Sequence, residues 1–264
     1  MIVDGKQIAE QVYEKARKRV EKLGRAPILS IITCAPNFET LKYLALKQKK
    51  AEAVGIDIKI FELEKSNTTE DFIQGIKEAV LVSDGVIVQL PLPETVDTDV
   101  VLQSVPSSHD VDALNPDTHA LLSPVVGSIN EILLSQGIEC KEKFVTVIGS
   151  GRLVGLPSYH WFQKGGAHVS VVTRDTHDIS FYTKNADIVV CGAGVPGLLK
   201  PDMIKDGVII LDAGTSEDGG ELKGDADPEC ADKASFFTPV PGGIGPITIA
   251  VLLSNVVTCA EKAE

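Results

Sequence analysis

The sequence predicts an α/β protein of two α/β domains with a cleft between them, the C-terminal one a Rossmann-type dinucleotide-binding domain. Three observations predict it. Short apolar, β-branched runs alternate with stretches of helical periodicity, the pattern of parallel strands joined by helices. The alternation occurs twice, breaking off after the "DGVIVQLPLP" region and restarting near Phe144. Finally, "VTVIGSGRLVGLP" runs a strand into a glycine-rich turn and then a helix, the local order of a dinucleotide site. Residues 1–118 plus 246–264 are expected to form the first domain and 119–245 the second.

Each element has its own justification. "DGKQIAEQVYEKARKRVEKLG" puts Ile8, Val12, Ala16 and Val20 at helical spacing and stops at Gly24. "APILSIITC" reads as a buried strand. Tyr43, Leu46 and Ala53 carry the next helical period up to Gly55. "IDIKIFELE" is a second strand, and "TTEDFIQGIKEAVL" a helix opened by a Thr/Thr cap and two acids. "DGVIVQLPLP" is a third strand, stopped by prolines. "FVTVIGSG", "AHVSVVT", "ADIVVCGAG" and "GVIILDAGT" supply the strands of the second set. "TSEDGGELKGDAD" reads as a polar loop. "ITIAVLLSNVVTCAEK" is one apolar helix, expected to cross back onto the first domain.

Composition narrows the function. Hydrophobic residues make up 44% and charged residues 23% of the 264 residues, the balance of a globular protein with a core. No uninterrupted apolar stretch approaches the roughly 18–20 residues of a membrane span, and "MIVDGKQIAE" has no basic-then-apolar leader, so neither membrane nor signal peptide is expected. Five scattered cysteines, none spaced CxxC, argue for free thiols in a cytoplasm and against a metal site. A net charge of -12 argues against nucleic acid.

In the glycine turn, Gly149 and Gly151 give G-x-G, but the third glycine is Gly155, one place later than the usual fingerprint. Small residues there let backbone N–H groups approach a pyrophosphate at a helix N-terminus. A tight strand–helix turn without a ligand is the alternative. The next strand ends at Thr173, Arg174 and Asp175. Arg174 suits a 2′-phosphate and hence NADP, whereas Asp175 could hold a ribose hydroxyl instead. Gly192 to Gly194, in "CGAG", offers another close backbone approach.

Against the acidic total, "KYLALKQKK" gathers Lys42, Lys47, Lys49 and Lys50 in two helical turns. Tyr43 and Lys47, four apart, share a face, while the other lysines point elsewhere. A solvated basic helix face is the plain reading of such a run. Two features set Lys47 apart. Gln89 sits where a buried strand leaves its sheet, and Asp110 and Asp112 follow in "HDVDALN", where they also suit a turn. A lysine desolvated beside an amide and a carboxylate can have its pKa tuned for proton transfer.

Taken together, the motifs resemble the bifunctional methylenetetrahydrofolate dehydrogenase/methenyltetrahydrofolate cyclohydrolase family over essentially the whole chain. Tyr43, Lys47 and Lys49 match its Y-x-x-x-K-x-K, Gln89 to Pro93 its Q-L-P-L-P, and Asp110 to Asp112 its D-V-D. "VGLP" and "TPVPGGIGPITIAVLLSN" match its cofactor turn and C-terminal signature. The resemblance implies NADP-linked oxidation of methylenetetrahydrofolate to the methenyl cation, then hydrolysis to 10-formyltetrahydrofolate. It implies Lys47 as the acid–base residue, Gln89 as its support, Tyr43 stacked near the pterin and Asp112 bonded to the pterin nitrogens. Pro241 and Gly242 would complete the substrate site. Cofactor contacts are implied at Gly149, Ser150, Gly151, Val154, Arg174, Gly192, Ala193, Gly194, Gly214 and Thr215. NADP is expected ahead of NAD, and a cytoplasmic homodimer as the assembly.

The chain departs from the family at several places. Thr40 replaces a serine, His109 and Ala113 replace the lysine and glycine of K-D-V-D-G, and "SPVVGS" keeps little of P-x-T-P-x-G. Gly149-Ser150-Gly151 replaces G-R-S, so the usual phosphate-gripping arginine is missing, while Arg174 stands at a usually small polar position of the same site. Two other readings keep the fold. One is a different two-domain NAD(P) dehydrogenase of the shikimate type; the other is a non-catalytic NADP- or folate-binding protein.

Overall fold

A computed structural model describes residues 1–34, 36, 38–218 and 221–263, apart from the side chains of Phe38, Glu39, Lys42 and Asp218. The chain runs α1 (Gly5–Leu23), β1 (Ile28–Cys34), α2 (Phe38–Val54), β2 (Asp57–Leu63), α3 (Thr69–Val80), β3 (Gly85–Val88) and α4 (Thr98–Ser104). There follow α5 (Pro124–Ser135), β4 (Phe144–Ile148), α6 (Gly155–Lys164), β5 (His168–Val172), α7 (Ile179–Thr183), β6 (Ile188–Cys191) and β7 (Ile209–Asp212). The hairpin strands β8 (Ser216–Asp218) and β9 (Glu221–Lys223), then β10 (Phe236–Phe237) and α8 (Ile244–Lys262), complete the chain.

Residues form two compact units. The N-terminal unit holds residues 10–124 and the chain from Ile249 on; the C-terminal unit holds residues 1–9 and 125–248. Met1 to Ala9 join the latter because Val3 N donates to Phe237 O and Gly5 N to Gly242 O, at 2.9 and 3.0 Å. Nothing in the composition of that stretch signals such pairing.

In the N-terminal unit β1 lies between β2 and β3, all parallel. Ile32, Val86 and Val88 of the sheet pack with Phe72 and Ile76 of α3 and Val101 and Leu102 of α4. The apolar positions of α3 face the sheet because they recur at helical spacing. Its start is fixed by Thr68, whose side chain accepts from Asp71 N while the Asp71 carboxylate accepts from Thr68 N. The last helix, α8, is long and apolar enough to cross a membrane, yet 67% of it is buried in the protein. Asn255 near its end donates to the carbonyls of Val111 and Leu122, both at 2.9 Å, as a core helix of this unit does.

The main sheet of the C-terminal unit has five strands in the order β10-β7-β6-β4-β5, those pairings all parallel. Both sheets therefore reverse direction beside their first strand, at β1/β3 and at β4/β6. In open α/β sheets ligands bind at the carboxyl ends of strands beside such a reversal. One reading needs correction: "TSEDGGELKGDAD" is not simply a polar loop. Its first part forms the antiparallel pair β8–β9, and Asp225, two residues past β9 in the same stretch, is fully buried. Local polarity misled because backbone donors, absent from any side-chain pattern, receive that carboxylate.

Candidate active site

At the β1/β3 reversal four of the residues singled out above act on one another. Lys47, on α2, is only 6% exposed, and its Nζ donates to Gln89 Oε1 at 3.0 Å. Gln89 is held in that orientation because its own Nε2 donates to Leu90 O at 3.0 Å, which turns the amide oxygen toward the lysine. The Tyr43 ring, one helical turn back, lies 5.0 Å from Lys47 Nζ. Asp112 reaches the same edge because Asp110 bridges Val86 in parallel, Val86 N donating to His109 O at 2.7 Å. The segment 109–112 thus runs on beside β3 toward Gln89.

Burial pushes the Lys47 ammonium below its ordinary pKa, and the charge of Asp112 pulls it part of the way back. Burial likewise raises the Asp112 carboxyl, to about 6, against the opposing pull of Lys47. Tyr43 is raised to about 12, by burial first and Asp112 second, so its hydroxyl keeps its proton at neutral pH. The neighbouring acid has a different role: Asp110 accepts from Asn115 N and from Thr118 Oγ1, both at 2.8 Å, and organises the turn. Of the remaining lysines, Lys50 lies over the Tyr13 ring and Lys49 is exposed; the Lys42 side chain lies outside the described residues.

A cavity of roughly 360 Å³ opens at the same strand ends, lined by Thr33, Cys34, Thr40 and Lys65 with Gln89 and Pro91. Sequence reasoning passed over Thr33, Cys34 and Lys65. Thr33 stands next to last in a buried strand, and its Oγ1 is buried with no hydrogen-bond partner among the described residues. A polar residue at the carboxyl end of an otherwise apolar strand was the available signal.

In the C-terminal unit the glycine turn stands at the β4/β6 reversal. Packing inside the protein accounts for several of its glycines. A Cβ on Gly149 would lie 2.6 Å from Gly192 O, one on Gly155 2.2 Å from Gly149 O, and one on Gly192 2.4 Å from Val154 Cγ1. Gly151 is different: a Cβ there meets nothing within 4 Å. Its smallness leaves open space beside exposed Ser150, in front of the start of α6. Arg174 and Asp175 are both exposed just beyond β5. Arg152, exposed on the glycine turn itself, is a second cation that the sequence reading overlooked. Gly214 is buried beneath Asp225, whereas Thr215 is exposed. Pro241 and Gly242 also belong to this unit, Gly242 at a φ of 108°.

A dinucleotide-type turn in one unit and a desolvated lysine beside an amide and a carboxylate in the other define a class, the two-domain α/β enzymes that join redox chemistry to proton transfer. The family profile "Tetrahydrofolate dehydrogenase/cyclohydrolase, catalytic domain" matches residues 3–112, and "Tetrahydrofolate dehydrogenase/cyclohydrolase, NAD(P)-binding domain" matches residues 124–264. The bifunctional protein FolD of Aliarcobacter butzleri is 37% identical, over 100% of this chain and 98% of its own length. The crystal structure of the bifunctional enzyme FolD, methylenetetrahydrofolate dehydrogenase/cyclohydrolase, from Campylobacter jejuni superposes with a TM-score of 0.96 at 32% identity, covering 100% and 99% of the two chains. That of the Trypanosoma brucei enzyme, complexed with NADP and an inhibitor, gives 0.92 at 31% identity, covering 100% and 98%. The chain belongs to the tetrahydrofolate dehydrogenase/cyclohydrolase family.

Proposed function

We propose that this protein oxidises 5,10-methylenetetrahydrofolate with NADP and hydrolyses the resulting 5,10-methenyl cation to 10-formyltetrahydrofolate, with Lys47 as the acid–base residue of the second step. The observation that carries the reading is the Lys47–Gln89–Asp112 set: a buried lysine below its ordinary pKa, oriented by an amide and facing a carboxylate. NADP held at the glycine turn would supply the hydride acceptor; for the chain's residues that step is one of alignment.

Asp112, ionised at neutral pH, accepts hydrogen bonds from the pterin's amino and ring N–H groups, and Tyr43 offers its ring face. These contacts serve both steps. Hydrolysis needs more. As a water oxygen bonds to the methenyl carbon, a proton leaves it for the neutral Nζ of Lys47. Gln89 Oε1 accepts one N–H of that amine and so aims its lone pair at the water. Collapse to the formyl product breaks the bond from that carbon to N5, which takes the proton that Lys47, now charged, returns; the adduct's hydroxyl proton passes through the freed Lys47 to solvent, the one net proton that hydrolysis of the cation releases.

NADP in preference to NAD is the finer part of the proposal. Support comes from Arg174, exposed beyond β5, with Arg152 on the neighbouring turn as a second cation. Either could make the charge-assisted bonds to a 2′-phosphate that NAD cannot receive. Asp175 would repel that phosphate and is expected to stay in solvent. Pro241 and Gly242 are proposed as further substrate contacts. A cytoplasmic setting is supported by the five free cysteines, and a homodimer by the family resemblance.

The test is an absorbance assay for methenyltetrahydrofolate, run with NADP and then with NAD, on the unaltered protein and on Arg174→Ala. Preference for NADP by about tenfold is expected, with Arg174→Ala raising KM for NADP and leaving that for NAD nearly unchanged. Equal loss with both cofactors, or a native preference for NAD, would remove Arg174 from the site.

A further inference from the structure

The loop after β6, which offers the close approach Gly192–Gly194, has an internal occupant. Ala193 N and Gly194 N donate to Asp225 Oδ2, at 2.6 and 3.1 Å, and Val195 N donates to Asp225 Oδ1 at 2.8 Å. Three successive N–H groups converging on one anion form a backbone cradle of the kind that often receives phosphate. Here the chain fills the cradle itself. The N–H groups are committed, so a dinucleotide meets this loop through its Cα surface and carbonyl edges.

A second carboxylate backs the first. Asp212, 1% exposed at the end of β7, accepts through Oδ1 from Gly214 N at 2.9 Å and Asp225 N at 3.3 Å, and through Oδ2 from Ala226 N at 2.8 Å. Room for the pair is made by glycine. A Cβ on Gly214 would lie 2.1 Å from Asp225 Cγ, and one on Gly224 2.2 Å from Asp212 Oδ2. The same loop is wedged against the glycine turn, since Gly149 has no space for a Cβ beside Gly192 O. Two buried carboxylates side by side are a costly way to close a loop that needs only shape. What they add is rigidity, with every oxygen tied to backbone.

We propose that Asp225, held in turn by Asp212, is the positioning residue for the dehydrogenase's cofactor loop, fixing Gly192–Val195 in the conformation that NADP lies against. This rests on the cofactor reading above. Asp225 does not touch the reacting atoms. Loss of its carboxylate leaves three N–H groups without an acceptor, and the loop must refold to satisfy them.

The experiment compares Asp225→Asn and Asp212→Asn with the unaltered protein in three measurements: dehydrogenase kinetics against NADP, NADP affinity by calorimetry, and hydrolysis of supplied methenyltetrahydrofolate. The last needs no cofactor, and its proposed acid–base set, Lys47 and Gln89, lies in the other unit. In Asp225→Asn one donor must face an amide NH2. KM and Kd for NADP should rise about tenfold or more, the cost of a lost charge-assisted bond, with kcat at saturating NADP and the hydrolysis rate within about threefold of native. Asp212→Asn, of the same shape, loosens Asp225 only indirectly and should raise KM by a few fold, again with hydrolysis intact; it keeps the test decisive should Asp225→Asn not fold. Native NADP affinity in both variants, or equal losses of both activities, would overturn the positioning role. Failure of the unaltered protein to bind NADP would overturn the cofactor reading and this inference with it.

Discussion

Lys47 can accept a proton from water only in its neutral form, and burial shifts it toward that form against the pull of Asp112. Burial lowers its pKa from the usual lysine value. Hydrolysis should therefore rise with pH and reach half its limit below pH ~10.4, the value of an ordinary lysine. Lys47→Met keeps the length and removes the proton acceptor, so the hydrolysis rate should fall by about 10²-fold or more, while exposed Lys49→Met leaves it near native. Gln89→Glu would set a negative charge 3.0 Å from Nζ, favour the ammonium and move the pH profile upward. Asp112 titrates at about 6. Its raised pKa means that the carboxyl is neutral below that pH and can no longer accept from the pterin, so the folate KM should climb as pH drops through 6. In Asp112→Asn that inflection should vanish; a folate KM indifferent to pH in the native enzyme would exclude the role. Gln89 was legible as a polar residue where an apolar strand ends, Lys47 by its helical spacing from Tyr43, and Asp112 through the D-V-D that the resemblance picks out. Asp225 was not, because its partners are backbone N–H groups that leave no mark in composition.

Among the elements, the segment 109–113 shows what one departure from the family pattern costs. Ala113 sits at a φ of 51°, a left-handed conformation that glycine adopts freely and alanine does not. Ala113→Gly should stabilise the protein by about 1 kcal/mol, seen as a rise of roughly 2 °C in Tm for a chain of this size; a fall would mean the turn relaxes around the alanine. In the other unit Asp212 at the end of β7 is pushed up to about 7, mainly by burial and in part by Asp225. The other titratable groups coupled to it are the thiols of Cys191 and Cys230. Folded Asp212 keeps a proton that the unfolded chain releases near pH 3.9. The stability this lends is whole below that pH and is lost as pH rises to 7. Asp212→Asn cannot titrate, so its Tm measured relative to native should improve between pH 5 and 8, by the equivalent of roughly 2–3 kcal/mol. A constant difference would show that Asp212 is ionised throughout. Helices and parallel strands were readable because their apolar periods differ. The β8–β9 pair was hidden by its charge, since β9 is exposed throughout and buries nothing that a pattern could register.

At the scale of the whole molecule, one chain joins a unit whose sheet reverses at a lysine–amide–carboxylate set to a unit whose sheet reverses at a glycine turn. The repeated α/β pattern made that plan legible. The allocation of Met1–Ala9 to the C-terminal unit was not, because it depends on main-chain hydrogen bonds to residues more than 230 positions away, among them Val3 N to Phe237 O and Gly5 N to Gly242 O. Two activities on one chain share the folate and, on the proposal above, differ in what else they require: the cofactor turn for oxidation, Lys47 for hydrolysis. A single progress curve separates them. Methylenetetrahydrofolate and NADP are mixed with native protein or with folded Lys47→Met, and NADPH and methenyltetrahydrofolate are followed together. Native protein should form NADPH with little methenyl intermediate standing, because Lys47 hydrolyses it as it appears. Lys47→Met should still form NADPH but accumulate methenyltetrahydrofolate nearly in step with it. The assignment would be contradicted by a native protein that forms no NADPH, or by a Lys47→Met protein that clears the intermediate as fast as native.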